Sequence, residues 1–415
     1  MSTPAMVTPD QSRVRGTPIA VVVVCWLLVV FDGYDLIVYG TVIPSLQAEW
    51  GISAATAGTL GSLTLFGMMV GALLAGRLAD AIGRRRVIIG CAVTLSVFTA
   101  LCALATGPVL FGGFRLLAGL GLGGLVPAAN AIAAEVVPVR WRKSVSTMLM
   151  SGVPIGGVLA ATFGISVIPR WGWQPMFAVA LLPLAALVPV AWKVLPDNAF
   201  HSRHRAESGF GGLFGARFRV ISVVFALATM TTLLAWYGLG TWLPKVMQSA
   251  GTDLGGALTF AVALNTGAAA GSLLTAWAGA RFGVIEVGAT AAAVAGLALL
   301  AMLGGPPVAL AYAGFVLAGI GTHGTQCLII AAVASLYPDQ LRGTALGWTL
   351  GVGRIGAVAA PQLGGWLLTA GFGAQSNFLL FGVCALAASA LLAAVAVSYR
   401  RAGSESQRAP MPGTD

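Results

Sequence analysis

Residues 18–45 read PIAVVVVCWLLVVFDGYDLIVYGTVIPS, a stretch in which the only charged side chains are Asp32 and Asp35. A helix rises about 1.5 Å per residue, so a hydrocarbon layer about 30 Å thick takes roughly 20 apolar residues to cross. The stretch therefore predicts a membrane-spanning helix with two acids near mid-depth. Eleven further stretches meet the same test: 55–79, 86–105, 108–134, 144–168, 175–194, 219–246, 255–279, 284–303, 308–335, 343–370 and 376–399. Composition agrees. Of the 415 residues, 58% are apolar or aromatic and 9% are charged, against about a quarter charged in soluble domains. Arg13 and Arg15 precede the first span, but no small-residue cleavage site follows it, so it is read as a span and not as a removable signal.

The net charge of +10 does not point to nucleic acid, because the basic residues are sorted by side. With both termini cytoplasmic, nineteen fall on the cytoplasmic side and two, Arg170 and Lys245, fall outside. That is the positive-inside distribution. Arg115 and Arg354 remain, each within a span. Five cysteines lie in apolar surroundings without metal-ligand spacing, so no metal site is expected. Three histidines, without an HExxH or GxSxG element, leave no catalytic constellation, so an enzyme is not expected. No Walker motif is present, so no cofactor is expected and any energy must come from an ion gradient or a partner.

The polar interval 195–218 divides the spans six and six, and residue n resembles residue n+200. Gly40, Thr41 and Pro44 match Gly240, Thr241 and Pro244; Gly71 and Gly83 match Gly271 and Gly283; Ala118, Gly119, Gly121 and Gly124 match Ala318, Gly319, Gly321 and Gly324. Pro138 and Arg142 match Pro338 and Arg342 in the loops, where chance glycine matches do not apply. The expected organisation is a cytoplasmic tail over 1–17, a six-helix bundle over 18–194, a cytoplasmic linker over 195–218, a second bundle over 219–399 and a cytoplasmic tail over 400–415. This is an all-α membrane protein of two pseudo-symmetric halves. Parallel repeats place a site between the halves near the midplane and permit alternating access.

The loop Gly76-Arg77-Leu78-Ala79-Asp80-Ala81-Ile82-Gly83-Arg84-Arg85-Arg86 resembles the signature loop of the major facilitator superfamily, with a degenerate copy at Gly279 to Gly283. Arg115-Leu116-Leu117-Ala118-Gly119-Leu120-Gly121 resembles its fourth-helix motif, in which an intramembrane arginine is associated with proton coupling. The element Asp32-Gly33-Tyr34-Asp35 is similar to that of the aromatic acid:proton symporters, as is the pattern from Gly347-Trp348 to Gly353-Arg354-Ile355-Gly356. The resemblance implies import of an aromatic carboxylate such as benzoate, a hydroxybenzoate or gentisate together with a proton. It also implies a multi-pass protein of a bacterial inner membrane, working as a monomer in the bilayer without nucleic acid. Another monocarboxylate such as nicotinate, or efflux of an apolar compound, is the competing reading. An excess of Arg over Lys, twenty to three, fits a GC-rich bacterial source.

Ionisable residues in spans are expensive and face a cavity, pair, or titrate. Asp32, Asp35 and Arg115 are the expected proton-coupling residues. Arg354 is the expected carboxylate ligand, since a guanidinium fork can engage a carboxylate through two hydrogen bonds, with Asp35, Arg115, Tyr39, His323 and Gln326 also at the substrate. Tyr39 either stacks on the substrate ring or anchors its helix, and His323 bonds either substrate or a helix carbonyl. On the cytoplasmic side, Gly76, Arg77, Asp80, Gly83, Arg84, Arg85, Arg86, Glu135 and Arg142 are expected to gate, with Asp80 paired to the arginine cluster and Glu135 near Arg140 and Arg142.

Overall fold

The computed structural model describes residues 16–196, 210–215 and 218–408. Arg13, Arg15, His201, Arg203, His204, Arg205 and Arg217 lie outside these, as do most of the expected linker and residues 1–15 and 409–415; the expected tail from 400 instead continues the last helix to Arg408. Twelve long helices follow in order: α1 (Pro18–Trp50), α2 (Ala54–Ile82), α3 (Arg84–Cys102), α4 (Pro108–Val136), α5 (Arg142–Trp171), α6 (Gln174–Val194), α7 (Arg219–Ser249), α8 (Leu254–Phe282), α9 (Val284–Ala301), α10 (Val308–Leu336), α11 (Asp339–Thr369) and α12 (Gln375–Arg408). Within α6, a π-helical turn at Pro183–Leu187 falls where Pro183 removes a backbone donor. Eleven of the twelve are apolar enough by composition alone to cross a membrane. The exception is α11, which carries Arg342, Arg354, Gln362 and many glycines; it is held by packing against α2 and α7.

Local chemistry sets the helix ends. Thr17, Ser53 and Asp253 cap α1, α2 and α8 with side-chain oxygens, satisfying amide groups that a helix start leaves without partners. Gly83 and Gly283, 200 residues apart, turn α2 into α3 and α8 into α9 with φ of 89° and 100°. That region is open to glycine at little cost, so the repeat is written into the backbone of both turns.

Packing repeats at the same offset. A Cβ placed on Gly67 or Gly71 would strike the carbonyl of Leu116 or Leu120, and one on Gly267 or Gly271 would strike the backbone of Val316 or Ile320. Gly121 lies against the backbones of Cys91 and Leu95 as Gly321 does against those of Ala291 and Ala295, and Gly156 against Val30 as Gly356 against Met230. Small residues let helix backbones approach closely in the absence of a hydrophobic force between them. Identical contacts at a constant offset make the two halves copies of one bundle.

The halves meet along α2 and α11, along α5 and α8, and along α1 and α7; the first of these shows how they are set. Ala55 N donates to Thr369 Oγ1 at 2.9 Å, Thr59 Oγ1 to Gln362 Oε1 at 2.8 Å, and Ser62 Oγ to the Val358 carbonyl at 2.6 Å. These contacts lie on the side away from the termini. Toward the termini the same face of α11 presents Gly351, Gly347 and Gly343, and a Cβ on any of them would meet nothing within 4 Å. Positions 343, 347, 351, 354, 358 and 362 share one face at helical spacing, so the halves are closed on the far side and spread on the terminal side.

Adding a methyl at a backbone contact forces helices apart, at about 1–3 kcal/mol. Gly71→Ala and Gly271→Ala are each expected to lower the thermal midpoint in detergent. Gly90→Ala, which meets nothing within 4 Å, should leave it unchanged.

Candidate functional site

The mid-depth of α1 is fully enclosed: Asp32, Asp35 and Tyr39 are buried among α3, α4 and the second half. Asp35 is bound on three sides. Arg115 Nη1 of α4 donates to both of its carboxylate oxygens at 2.9 Å, Arg115 Nη2 donates to its carbonyl at 3.2 Å, and Thr99 Oγ1 of α3 donates to Oδ1 at 2.6 Å. With the side chains 0% and 1% exposed, this is a dry ion pair. The guanidinium also lies over the rings of Tyr39 and Phe177, 5.7 and 5.9 Å from their centroids, an arrangement that favours a cation.

Asp32 is treated differently. It is 0% exposed, and neither carboxylate oxygen has a hydrogen-bond partner. The two acids lie three residues apart, yet they do not share a partner. About 60° of helix rotation separates positions i and i+3, enough to turn Asp35 to Arg115 and leave Asp32 without one.

Arg354 crosses the interface. Its Nη1 donates to the Met68 carbonyl of α2 at 2.8 Å, and among the described residues it has no ion pair. Tyr237 of α7 directs its hydroxyl at the same residue, 4.0 Å from Met68 Sδ. On α10, His323 packs its ring 5.1 Å from that of Trp236 and leaves Nε2 without a partner, and Gln326 leaves Oε1 without one. Tyr39 is committed to its own half: its hydroxyl donates to the Ala57 carbonyl at 2.5 Å, and its ring packs against Phe111.

Two residues at this level are not among those expected from the sequence. Thr99 looks like one hydroxyl in an apolar run. Asn265 of α8 is buried with Oδ1 unpartnered and pressed against Gly157 of α5. A polar amide in an apolar span was the available sign.

The gating loop departs from expectation. Arg84 pairs with Glu135, so Glu135 is engaged by the start of α3 and not by Arg140. Arg85 donates to the Trp192 carbonyl and lies over that ring. Asp80 is exposed and makes no ion pair among the described residues. The one-residue turn at Gly83 causes this, because it sets the first residue of α3 beside the end of α4. Arg77 and Arg86 are exposed, and Arg142 opens α5.

The profile of the Major Facilitator Superfamily matches residues 25–361 and 225–412. A gentisate transporter of Corynebacterium glutamicum is 52% identical over 410 residues, spanning 96% of this chain and 92% of that protein. A benzoate transport protein of Acinetobacter baylyi is 32% identical, spanning 91% and 89%. Among solved structures, a D-xylose-proton symporter superposes with a TM-score of 0.76 at 16% identity, over 90% of this chain and 97% of that one. The twelve-helix fold, its internal repeat and these matches agree: the chain belongs to the major facilitator superfamily, in the branch that holds the aromatic acid transporters.

Proposed function

We propose that this protein imports an aromatic carboxylate, gentisate or a related hydroxybenzoate, together with a proton by alternating access between its two halves. The observation that carries the reading is Asp32, a fully buried carboxyl with no hydrogen-bond partner beside an ion pair that is already complete. An unpaired charge in such a place is very costly, whereas a carboxyl that holds a proton avoids that cost. The relative from Corynebacterium supplies the substrate class.

The roles divide as follows. Asp35, Arg115 and Thr99 form a fixed support that orients α1. Asp32 takes the proton. Arg354, with a single hydrogen bond to Met68, binds the substrate carboxylate, and His323 and Gln326 offer unpartnered polar atoms on the facing helix. The substrate carboxylate brings a negative charge to the interface and a proton on Asp32 removes one, so binding of the anion promotes binding of the proton. Such linkage is reciprocal. One anion with one proton is electroneutral. With the termini in the cytoplasm of a bacterial cell, the spread side of the bundle is the inward-facing side. The halves 18–194 and 219–399 then rock about the α2–α11 contact, and the protein acts as a monomer. The Arg84–Glu135 pair and the rest of the loop from Gly76 to Arg86, with Arg142, set turnover and leave substrate choice alone.

Uptake of labelled gentisate and benzoate into proteoliposomes under an imposed pH gradient tests this. Asp32→Asn should lose accumulation above equilibrium yet retain exchange of labelled for unlabelled substrate. Full gradient-driven accumulation by this variant would remove Asp32 as the proton site. Asp35→Asn instead leaves Arg115 buried without its partner, at about 3–5 kcal/mol, and should lower the yield of folded protein along with transport. Arg354→Lys exchanges a planar fork for a point charge; losing a charged hydrogen bond of about 1.5–3 kcal/mol raises KM roughly tenfold or more. An unchanged KM would place the carboxylate elsewhere.

A further inference from the structure

On the closed side, above the contact between the halves, the outer ends of α1 and α7 enclose a cleft of about 520 Å³ lined by Pro44, Ser45, Gln47, Lys245 and Gln248. Lys245 is half-buried in its wall and has no ion pair among the described residues. The nearby acids are otherwise engaged: Glu49 accepts from Trp173 Nε1 at 2.6 Å, and Asp253 caps α8 through Gly255 N and Gly256 N. Gln47 Oε1 is buried without a partner, an acceptor that a ring hydroxyl or a water satisfies.

Beneath the cleft the seam between the same two helices closes on backbone. A Cβ on Gly40 would lie 2.1 Å from the Gly240 carbonyl oxygen. Pro44 and Pro244 stand four residues further along each helix and, lacking N–H, withdraw the intrahelical donors from the carbonyls of Gly40 and Gly240. Below that contact a small void of about 10 Å³ is lined by Ile37, Tyr39, Thr64, Arg115 and Tyr237. One seam thus runs from Lys245 at the outer surface to the Arg115–Asp35 pair at mid-depth, with a glycine–glycine contact between them.

We propose that this cleft is an outer recruiting site, in which Lys245, with Ser45 and Gln248, holds the carboxylate of the incoming aromatic acid before the seam opens at Gly40 and Gly240. The inference rests on the import reading above and adds a second substrate position to it. A lone cation in a cleft raises the local concentration of anions and speeds their capture, an effect that salt screens.

The test is initial-rate uptake of labelled gentisate into vesicles of uniform orientation at low and high ionic strength, with efflux from preloaded vesicles as the opposite-face measurement. Lys245→Ala should raise the outside KM by roughly tenfold, abolish its salt dependence, and leave maximal rate and inside KM unchanged. Lys245→Arg should behave as wild type, and Arg170→Ala, at the other outer basic residue, should match wild type too. An outside KM unaltered in Lys245→Ala, or a rise of equal size on both faces, overturns the outer site and leaves the import reading standing. Absence of aromatic acid uptake by the wild-type protein overturns both.

Discussion

Charge at the depth of the hydrocarbon layer is the constraint on which this molecule turns. Among the described residues two carboxylates and two guanidinium groups reach mid-depth, and each would cost a few kcal/mol if left in lipid. Arg115 and Asp35 neutralise one another with help from Thr99. Arg354 borrows a carbonyl from the opposite half. Of the four, Asp32 alone receives nothing, which is the ground on which we propose it as the proton site.

The surrounding architecture exists to hold those groups in register. Glycines at a spacing of 200 residues bring α2 against α4 and α8 against α10 at backbone distance, so each half moves as a rigid body. The interface between the halves runs along α2–α11, α5–α8 and α1–α7, and adds polar contacts on its far side to glycine-backbone contacts such as Gly40 on Gly240 and Gly58 on Pro361. On the terminal side the face of α11 at Gly343, Gly347 and Gly351 is unfilled, which leaves room there for one half to move against the other.

Much of this was legible in the sequence. Twelve spans, the division after the sixth and the repeat all follow from apolar run length and from residues such as Pro138/Pro338 and Gly83/Gly283, because bilayer thickness and backbone sterics act locally. The acids of α1 and both intramembrane arginines were visible for the same reason. Their pairing was not. Which of Asp32 and Asp35 meets Arg115 depends on the rotation of α1 against α4, a tertiary quantity that no spacing records. Similarly, the turn at Gly83 hands Arg84 to Glu135 and leaves Asp80 exposed, where charge arithmetic alone favoured an Asp80 pairing. The cleft at Lys245 was hidden because it is a shape made by two helices two hundred residues apart.

The most direct measurement of the central claim is proton uptake on substrate binding, read with a pH indicator in weakly buffered detergent solution without any membrane or gradient. At alkaline pH, where Asp32 of the free protein has lost its proton, gentisate binding should draw up to one proton per ligand onto the wild-type protein and none onto Asp32→Asn binding the same ligand, as linkage requires. Binding without proton uptake in the wild type, or equal uptake in the Asn variant, would contradict the assignment of the coupled proton to Asp32.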